Sequence, residues 1–449
     1  MKYQEVVRYL ESFVNYEKVS RWPYKQSLKL ERFKAFLTTI DNPQNELRCI
    51  HVAGSKGKGS TCAFITYILR EAGFKVGLYT SPHLCDFRER IRILLPRKKN
   101  YLLVSNSNQA FEGMIQKFEL IRLVKRLKPE IEKFNRSSPW GRLSFFEVYT
   151  ALAFLYFKDK KVDFVVLETG LGGRLDATNA ANALVSVITP ISYEHTQKLG
   201  LTLKAIAYEK AGIIKSSRQI VVSSRQKKEA LQVIRKRCRA VGTRLYEYGR
   251  DLQLLKNGSQ FKFKGIFGVY QGLRPRLLGQ HQRENALVAL GAVECLRNFG
   301  IFVPAEAIRR GVNMAFWPGR CEVVGRKPWI VLDGAQNVAS CLALKKAIKD
   351  NFKYRRLLLI LGISQDKDIE GVCRVLNGLA DKVILTQADN PRAAETVDLL
   401  RFFPRQKTII AQNSSLAFRL AQESACRSDL ILVTGSLFLV GEIRSKVLS

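Results

Sequence analysis

The sequence predicts an α/β fold built from two successive domains, each a largely parallel sheet with helices over both faces. Three observations carry that prediction. Short runs with apolar residues on both faces, such as those within Val162–Glu168 and Ala183–Ile188, alternate with longer segments of helical period, the pattern of buried parallel strands joined through helices. A glycine-dense turn, Gly54-Ser-Lys-Gly-Lys-Gly-Ser60, stops an apolar strand and opens a helix. Trp317-Pro-Gly-Arg320 then breaks the series, and a second alternation begins near Trp329.

Taken in order, Tyr3–Tyr16 and Ser27–Ile40 read as helices, and Cys49–Ala53 and Val76–Thr80 as strands around the helix Thr61–Ala72. Lys117–Arg142 is a basic stretch with a partly helical apolar face, and Phe145–Phe157 is a strongly apolar helix. Leu201–Ile214, the basic Lys227–Val241 and Gln282–Phe299 are helical, while the alternation Phe261-Lys-Phe-Lys within Tyr248–Gly272 suggests a hairpin. In the second series the strands are Trp329–Leu332, Leu357–Leu361, Lys382–Thr386 and Leu430–Val433. Between them lie the helices Val338–Lys349, Ile369–Leu379, Ala393–Leu400, Ser415–Ser424 and Phe438–Lys446. Ligands in such folds gather beyond the carboxyl ends of the strands.

Composition narrows the class. A chain of 449 residues with 46% hydrophobic content has ample material for cores. Charged residues interrupt the first helix and no uncharged apolar run reaches membrane-spanning length, so a soluble cytoplasmic protein without a membrane partner is expected. The nine cysteines are scattered with no C-x-x-C pair, which reads as small buried side chains in a reducing compartment. A formal net charge of +35 would attract polyanions. The excess is spread along the chain, and solvated basic helices, the rim of an anionic-substrate site and a nucleic-acid surface all accommodate it.

The glycine-dense turn is where the chemistry concentrates. Gly54, Gly57 and Gly59 let successive backbone N–H groups converge on phosphate oxygens at the start of a helix, where unpaired donors and the positive dipole end already favour an anion. Lys58 supplies a point charge for the β/γ-phosphates, and Ser60 or Thr61 a hydroxyl for phosphate or Mg2+. The spacing departs from the standard phosphate loop: with Gly57-Lys58 aligned, Val52 stands at the first glycine position and Gly59 at the hydroxyl position. A flexible surface turn explains the glycines but not the flanking strand and helix.

Other polar residues stand where a buried strand has just ended. Ser81 lies in Thr80-Ser-Pro-His83, Glu168 precedes Gly170-Leu-Gly-Gly-Arg-Leu-Asp176, and His195 follows Glu194. A hydroxyl, a carboxylate and a neutral imidazole beside a phosphate loop make a coherent Mg2+ shell, although each alone is as readily structural. In the second series Asp333, in Ile330-Val-Leu-Asp-Gly-Ala-Gln-Asn337, is suited to a ribose or amine, and Lys367 falls near the same edge. Arg320 and Asn285 could reach the cleft, Arg320 as a phosphate clamp and Asn285 as a base or ribose partner. Lys210 interrupts an apolar helix near its end, where a cation facing the helix dipole is the plain account.

These residues together resemble one family. His51-Val-Ala-Gly-Ser-Lys-Gly-Lys-Gly-Ser-Thr-Cys62, Thr80-Ser-Pro-His-Leu84, Phe145-Phe-Glu-Val148, Leu167–Asn179, Glu194-His195, Glu209–Lys215, Gly279–Gln282 with Asn285-Ala286, Trp317–Arg320, Asp333–Asn337, Asp366–Asp368 and Thr434–Ser436 follow, in order, the motifs of folylpolyglutamate synthases and dihydrofolate synthases, Mur-type amide ligases. The resemblance implies a P-loop ATPase domain with a largely parallel sheet over residues 1–313, binding ATP and a folate. It implies a C-terminal Rossmann-like α/β domain over residues 314–449 that closes on the cleft and helps bind L-glutamate.

The activity implied is ATP-dependent joining of glutamate to a folate or dihydropteroate carboxylate through an acyl phosphate, by a monomer with no nucleic-acid partner. ATP would contact Gly54 to Thr61, Ser55 and Lys56 included, together with Asn285, Arg320 and Asp333. Mg2+ would be held by Ser81, Glu168 and His195, and by Lys210 once carbamylated, with K+ as a further cation. Lys58, His195 and Lys210 would carry the catalytic work. A muropeptide ligase, and a catalytically impaired nucleotide- or nucleic-acid-binding protein, are the competing classes. The family usually has Thr-Asn in place of Ser55-Lys56, Asp in place of Glu194 and His in place of Gln336. A Gln at 336 keeps hydrogen bonding but cannot titrate near neutrality.

Overall fold

The computed structural model describes residues 1–17, 19, 22–97, 111–257 and 260–448. Its first sheet takes β1 (Cys49–Ala53), β2 (Val76–Tyr79), β3 (Ile91–Leu94), β4 (Phe164–Glu168), β5 (Ala183–Ile188), β6 (Ile220–Ser223) and β7 (Arg244–Glu247), in the order β3-β2-β4-β1-β5-β6-β7. Only β3 runs antiparallel to its neighbour. A small antiparallel sheet follows, with β8 (Gln253–Asn257), β9 (Gln260–Lys264) and β10 (Val269–Tyr270) in the order β10-β9-β8. The third sheet, β11-β12-β16-β13-β14-β15, uses β11 (Glu322–Arg326), β12 (Trp329–Leu332), β13 (Leu357–Leu361), β14 (Lys382–Leu385), β15 (Thr408–Ile410) and β16 (Leu430–Thr434), antiparallel only at β11. The expected α/β class with two mainly parallel sheets is what forms.

Each large sheet is covered on both faces. On one face of the first, apolar residues of helices Lys58–Glu71, Gln280–Glu294 and Ala305–Met314 share a core with β1, β2, β4 and β5. Gly311 lets the last of these approach the phosphate-loop helix, since a Cβ there would lie 2.4 Å from Ile68 Cα. The opposite face is covered by helices Leu30–Thr38, Lys117–Ser137 and Phe145–Asp159, and further along by Leu203–Ala211 and Lys228–Val241. The basic stretch is therefore an amphipathic helix whose Leu120, Leu123, Val124, Leu127 and Ile131 are buried. No helix among the described residues is long and apolar enough to cross a membrane.

Several elements differ from expectation for identifiable reasons. The first helix stops at Glu11 rather than Tyr16, because the chain turns so that the Val14 carbonyl accepts Phe145 N–H at 3.0 Å. Ser27–Ile40 splits into Tyr24–Ser27 and Leu30–Thr38, and the helix expected at Leu201–Ile214 is trimmed to Leu203–Ala211 with Thr202 as its cap. The hairpin gains a third strand, and its turn, residues 258–259, lies outside the described residues. Short strands β3, β6, β7, β11 and β15 carry no sustained alternation of their own; pairing with a neighbour organises them.

Candidate functional site

The register of the first sheet brings the polar residues together. β1 lies between β4 and β5, with Val52 opposite Glu168 and Ala53 opposite Ile188, and β2 pairs Tyr79 with Leu167. The phosphate loop, Glu168 and the Ser81 turn thus emerge at one carboxyl edge. The loop itself is pinned from below: Ser55 and Lys56 N–H both donate to the Pro190 carbonyl, at 2.9 and 3.2 Å. Gly54 has φ +154, and a Cβ there would meet Thr189 Oγ1 at 1.8 Å; Gly57 has φ +79, and its Cβ would meet Asn285 Oδ1 at 2.4 Å. Glycine is required at both positions.

Gly57 is the left-handed N-cap of the helix Lys58–Glu71, so the free N–H groups of that helix open at the loop. Lys58 Nζ folds back to the Gly54 carbonyl at 3.2 Å. Among the described residues neither the Ser60 nor the Thr61 hydroxyl has a partner, and Thr61 Oγ1 is buried. Ser55 spends its hydroxyl elsewhere, exchanging hydrogen bonds with the Ser192 backbone at 3.0 Å. Its role is to hold the loop. Gly59, at the position where standard loops carry a hydroxyl, lies under Trp317, whose indole would be 3.1 Å from a Cβ.

Ser81 and Glu168 line one cavity with Gly59, Trp317, Arg320 and Leu437, so both domains contribute to it. One Glu168 oxygen accepts Ser81 N–H at 3.3 Å, and the carboxylate has no ion pair among the described residues. Burial pushes its pKa up against the pull of Lys58 and Arg320. A buried, unpaired carboxylate beside a free hydroxyl is short of a cation. The set fits Mg2+, which takes few protein oxygens and keeps waters and phosphate oxygens for the rest.

Lys210 is not a helix-end cation facing solvent. It is 2% exposed, and its Nζ donates to the Gly54 carbonyl at 2.8 Å and to Glu194 Oε1 at 2.7 Å. Burial pulls this ammonium down to about 8 against the Glu194 charge. Burial alone would raise Glu194, yet Lys210, Lys58 and His195 together hold it near 2. Neither its partner nor its depth was legible; the adjacency of Glu194 to His195 was the one available signal.

His195 does not line the cavity shared by Ser81 and Glu168; the charges that act on its ring are those of Glu194, Lys367, Lys210 and Lys198. Its backbone is left-handed, φ 46, at the start of the short helix Thr196–Leu199. Protein crowds the ring and moves its pKa toward about 4, against the Glu194 charge, but the residue remains solvent-exposed and water screens the effect. Among the described residues no group of three or more His, Cys, Asp and Glu gathers as a metal cage.

From the second sheet, Asp333 follows β12. Its oxygens accept N–H groups of Cys321 and Ala335, both at 2.8 Å, and burial raises its pKa against Arg320. Asn285 sits on Gly57 at the phosphate end, with its amide donating to Gln282 Oε1 at 3.0 Å. Lys56 is half-buried among Glu194, Lys58, Lys367 and Arg320, and burial lowers its pKa. Lysines 56, 58, 210 and 367 with Arg320 therefore converge from both domains, a concentration suited to a polyanion.

Residues 143–293 match the Mur ligase middle domain, and residues 319–437 match the glutamate ligase domain of Mur ligases. A Bacillus subtilis dihydrofolate synthase/folylpolyglutamate synthase is 36% identical over 93% of this chain and 94% of its own. A Haloferax volcanii "Probable bifunctional folylpolyglutamate synthase/dihydropteroate synthase" is 34% identical over 99% of this chain, which spans 50% of that longer protein. The Mycobacterium tuberculosis folylpolyglutamate synthase complexed with ADP superposes with a TM-score of 0.86 at 29% identity, covering 99% of this chain and 98% of that one. Identity at this level along nearly the whole of a relative means that the chain belongs to the folylpolyglutamate synthase/dihydrofolate synthase family of Mur-type ligases.

Proposed function

We propose that the protein uses ATP to join L-glutamate to the carboxylate of a folate or a dihydropteroate, passing through an acyl phosphate. The convergence of five cationic side chains from both domains on the glycine turn that opens the helix Lys58–Glu71 carries the reading. In it, residues 1–313 hold ATP and the pterin-bearing substrate, and residues 314–449 bring glutamate to the cleft.

The triphosphate lies along Gly54–Thr61, with the loop N–H groups and Lys58 neutralising the charge that develops during transfer. Asn285 supports the loop from Gly57, while Arg320 and Asp333 face the nucleotide from the second domain. Ser81 and Glu168 are the residues that would hold Mg2+, and His195, which does not line their cavity, would join them only by moving toward it. When bound, the metal polarises phosphate oxygens and offsets their charge. Carbamylation of Lys210 would require its ion pair with Glu194 to open, since only the neutral amine reacts and the carboxylate holds the ammonium form; K+ would be a further cation of the site. Glu194 holds Lys210 Nζ at 2.7 Å, beside the phosphate loop. A monomer acting in the cytoplasm completes the picture.

The test offers purified protein ATP, Mg2+ and labelled glutamate with dihydropteroate or tetrahydrofolate in turn, and measures the amide. Glutamate-dependent product from either substrate is expected. Salt-sensitive nucleic-acid binding with no amide from either would overturn the proposal.

A further inference from the structure

Beyond the phosphate loop, one residue ties the two domains together through groups that the chemistry above does not use. Arg392 follows β14 in the second domain. Its Nη2 donates to Asp366 Oδ1 at 2.7 Å, and its Nη1 crosses to the first domain and donates to the Glu17 carbonyl at 2.8 Å. Gln365 N–H and Nε2 bond the carbonyls of Arg392 and Ala393, at 2.8 and 3.0 Å, so residues 364–368 and 390–394 move as one piece. Asp366 holds Lys367 Nζ at 2.7 Å, and the Lys367 charge lies near enough to act on both Lys56 and His195.

The connection continues in the first domain. Glu17 spends its carboxylate on Arg90, with Nη1 at 2.9 Å and Nη2 at 2.5 Å, and Arg90 is fully buried against the rings of Phe145 and Tyr149. Arg90 Nε donates to His83 Nδ1 at 2.9 Å, in the turn that carries Ser81. Elsewhere the domains meet without slack: Cys85 Sγ donates to the Gly441 carbonyl at 3.2 Å, and a Cβ on Gly441 would fall 2.1 Å from Leu84 O. Tight backbone contact makes a pivot. A hydrogen-bonded arginine at a second point makes a catch.

We infer that Arg392 is a positioning residue that latches the second domain onto Glu17, holding Lys367 over the phosphate loop and keeping water from the acyl phosphate until the amine attacks. The inference rests on the ligase reading. Its consequence is a partition: with the latch gone, the P–O–C(=O) linkage is opened by water instead of glutamate, releasing phosphate and the original carboxylate with no amide. General loss of fold would lower both products in proportion.

The experiment compares wild type, Arg392→Ala and Arg392→Lys. Phosphate and amide are counted together at saturating glutamate, and small-angle scattering is recorded on the same proteins with ADP. Arg392→Ala should lose amide formation on the order of tenfold while phosphate release falls much less. Its radius of gyration should increase, and Arg392→Lys, which keeps the charge but loses the planar fork that reaches two acceptors, should fall between. A wild-type phosphate-to-amide ratio and unchanged scattering in Arg392→Ala would overturn the latch, however much the rate drops. If wild type itself makes no amide, the ligase reading falls, and the scattering comparison still decides whether Arg392 holds the domains together.

Discussion

At the scale of single residues, the phosphate loop shows how backbone freedom and charge divide the work. Gly57 is needed for its conformation and for the space filled by Asn285, so Gly57→Ala meets both a left-handed strain and a clash. Strain of roughly 1–3 kcal/mol at the loop should raise the Kd for ATP about tenfold, measured by calorimetry; unchanged affinity would show that the loop does not cradle the nucleotide. Lys58→Ala removes charge and leaves the backbone path intact. Amide formation should fall about 10²- to 10³-fold with the thermal transition unmoved, and near-wild-type turnover would remove Lys58 from the chemistry.

Among elements, the helix Phe145–Asp159 owes its placement to its first turn. Ser144 and Glu147 form a capping box, and Arg32 from the helix Leu30–Thr38 reaches the same carboxylate with Nε and Nη2 at 3.0 and 2.8 Å, in a pair almost wholly buried. The Phe145-Phe-Glu-Val motif is thus at least partly architectural. Arg32→Met leaves Glu147 buried without its cation and should cost about 3–5 kcal/mol in urea titration. Adding Glu147→Gln should recover part of that loss, and a single variant as stable as wild type would contradict the assignment.

For the whole molecule, a buried histidine makes a distinct contribution to acid sensitivity. His51 lies on β1 beneath the loop, 1% exposed, with Nε2 2.8 Å from Thr178 Oγ1, which donates in turn to Asp176. Burial pulls its pKa down to about 3. The unfolded chain takes up this proton near pH 6.5 and the folded one refuses it, so stability must fall as pH drops from about 6.5 toward 3. This one group accounts for at most about 5 kcal/mol over that window. Urea midpoints should decline across it, and His51→Gln, which keeps a donor for Thr178, should flatten the decline; an unaltered slope would rule out His51 as the cause.

What the sequence determined by itself is local. A glycine-dense turn between strand and helix specified the loop, apolar runs specified buried strands, and the polar residues just past those runs were placed at strand ends, because each depends on a few neighbouring residues. Folding decided the rest. Lys210 meets Glu194 and Gly54 across 16 and 156 residues, Trp317 covers Gly59, and Arg392 reaches Glu17 across 375. No pattern in the chain encodes such meetings; they follow from strand order, which puts distant segments at a common edge, and from how closely two independently packed domains can dock.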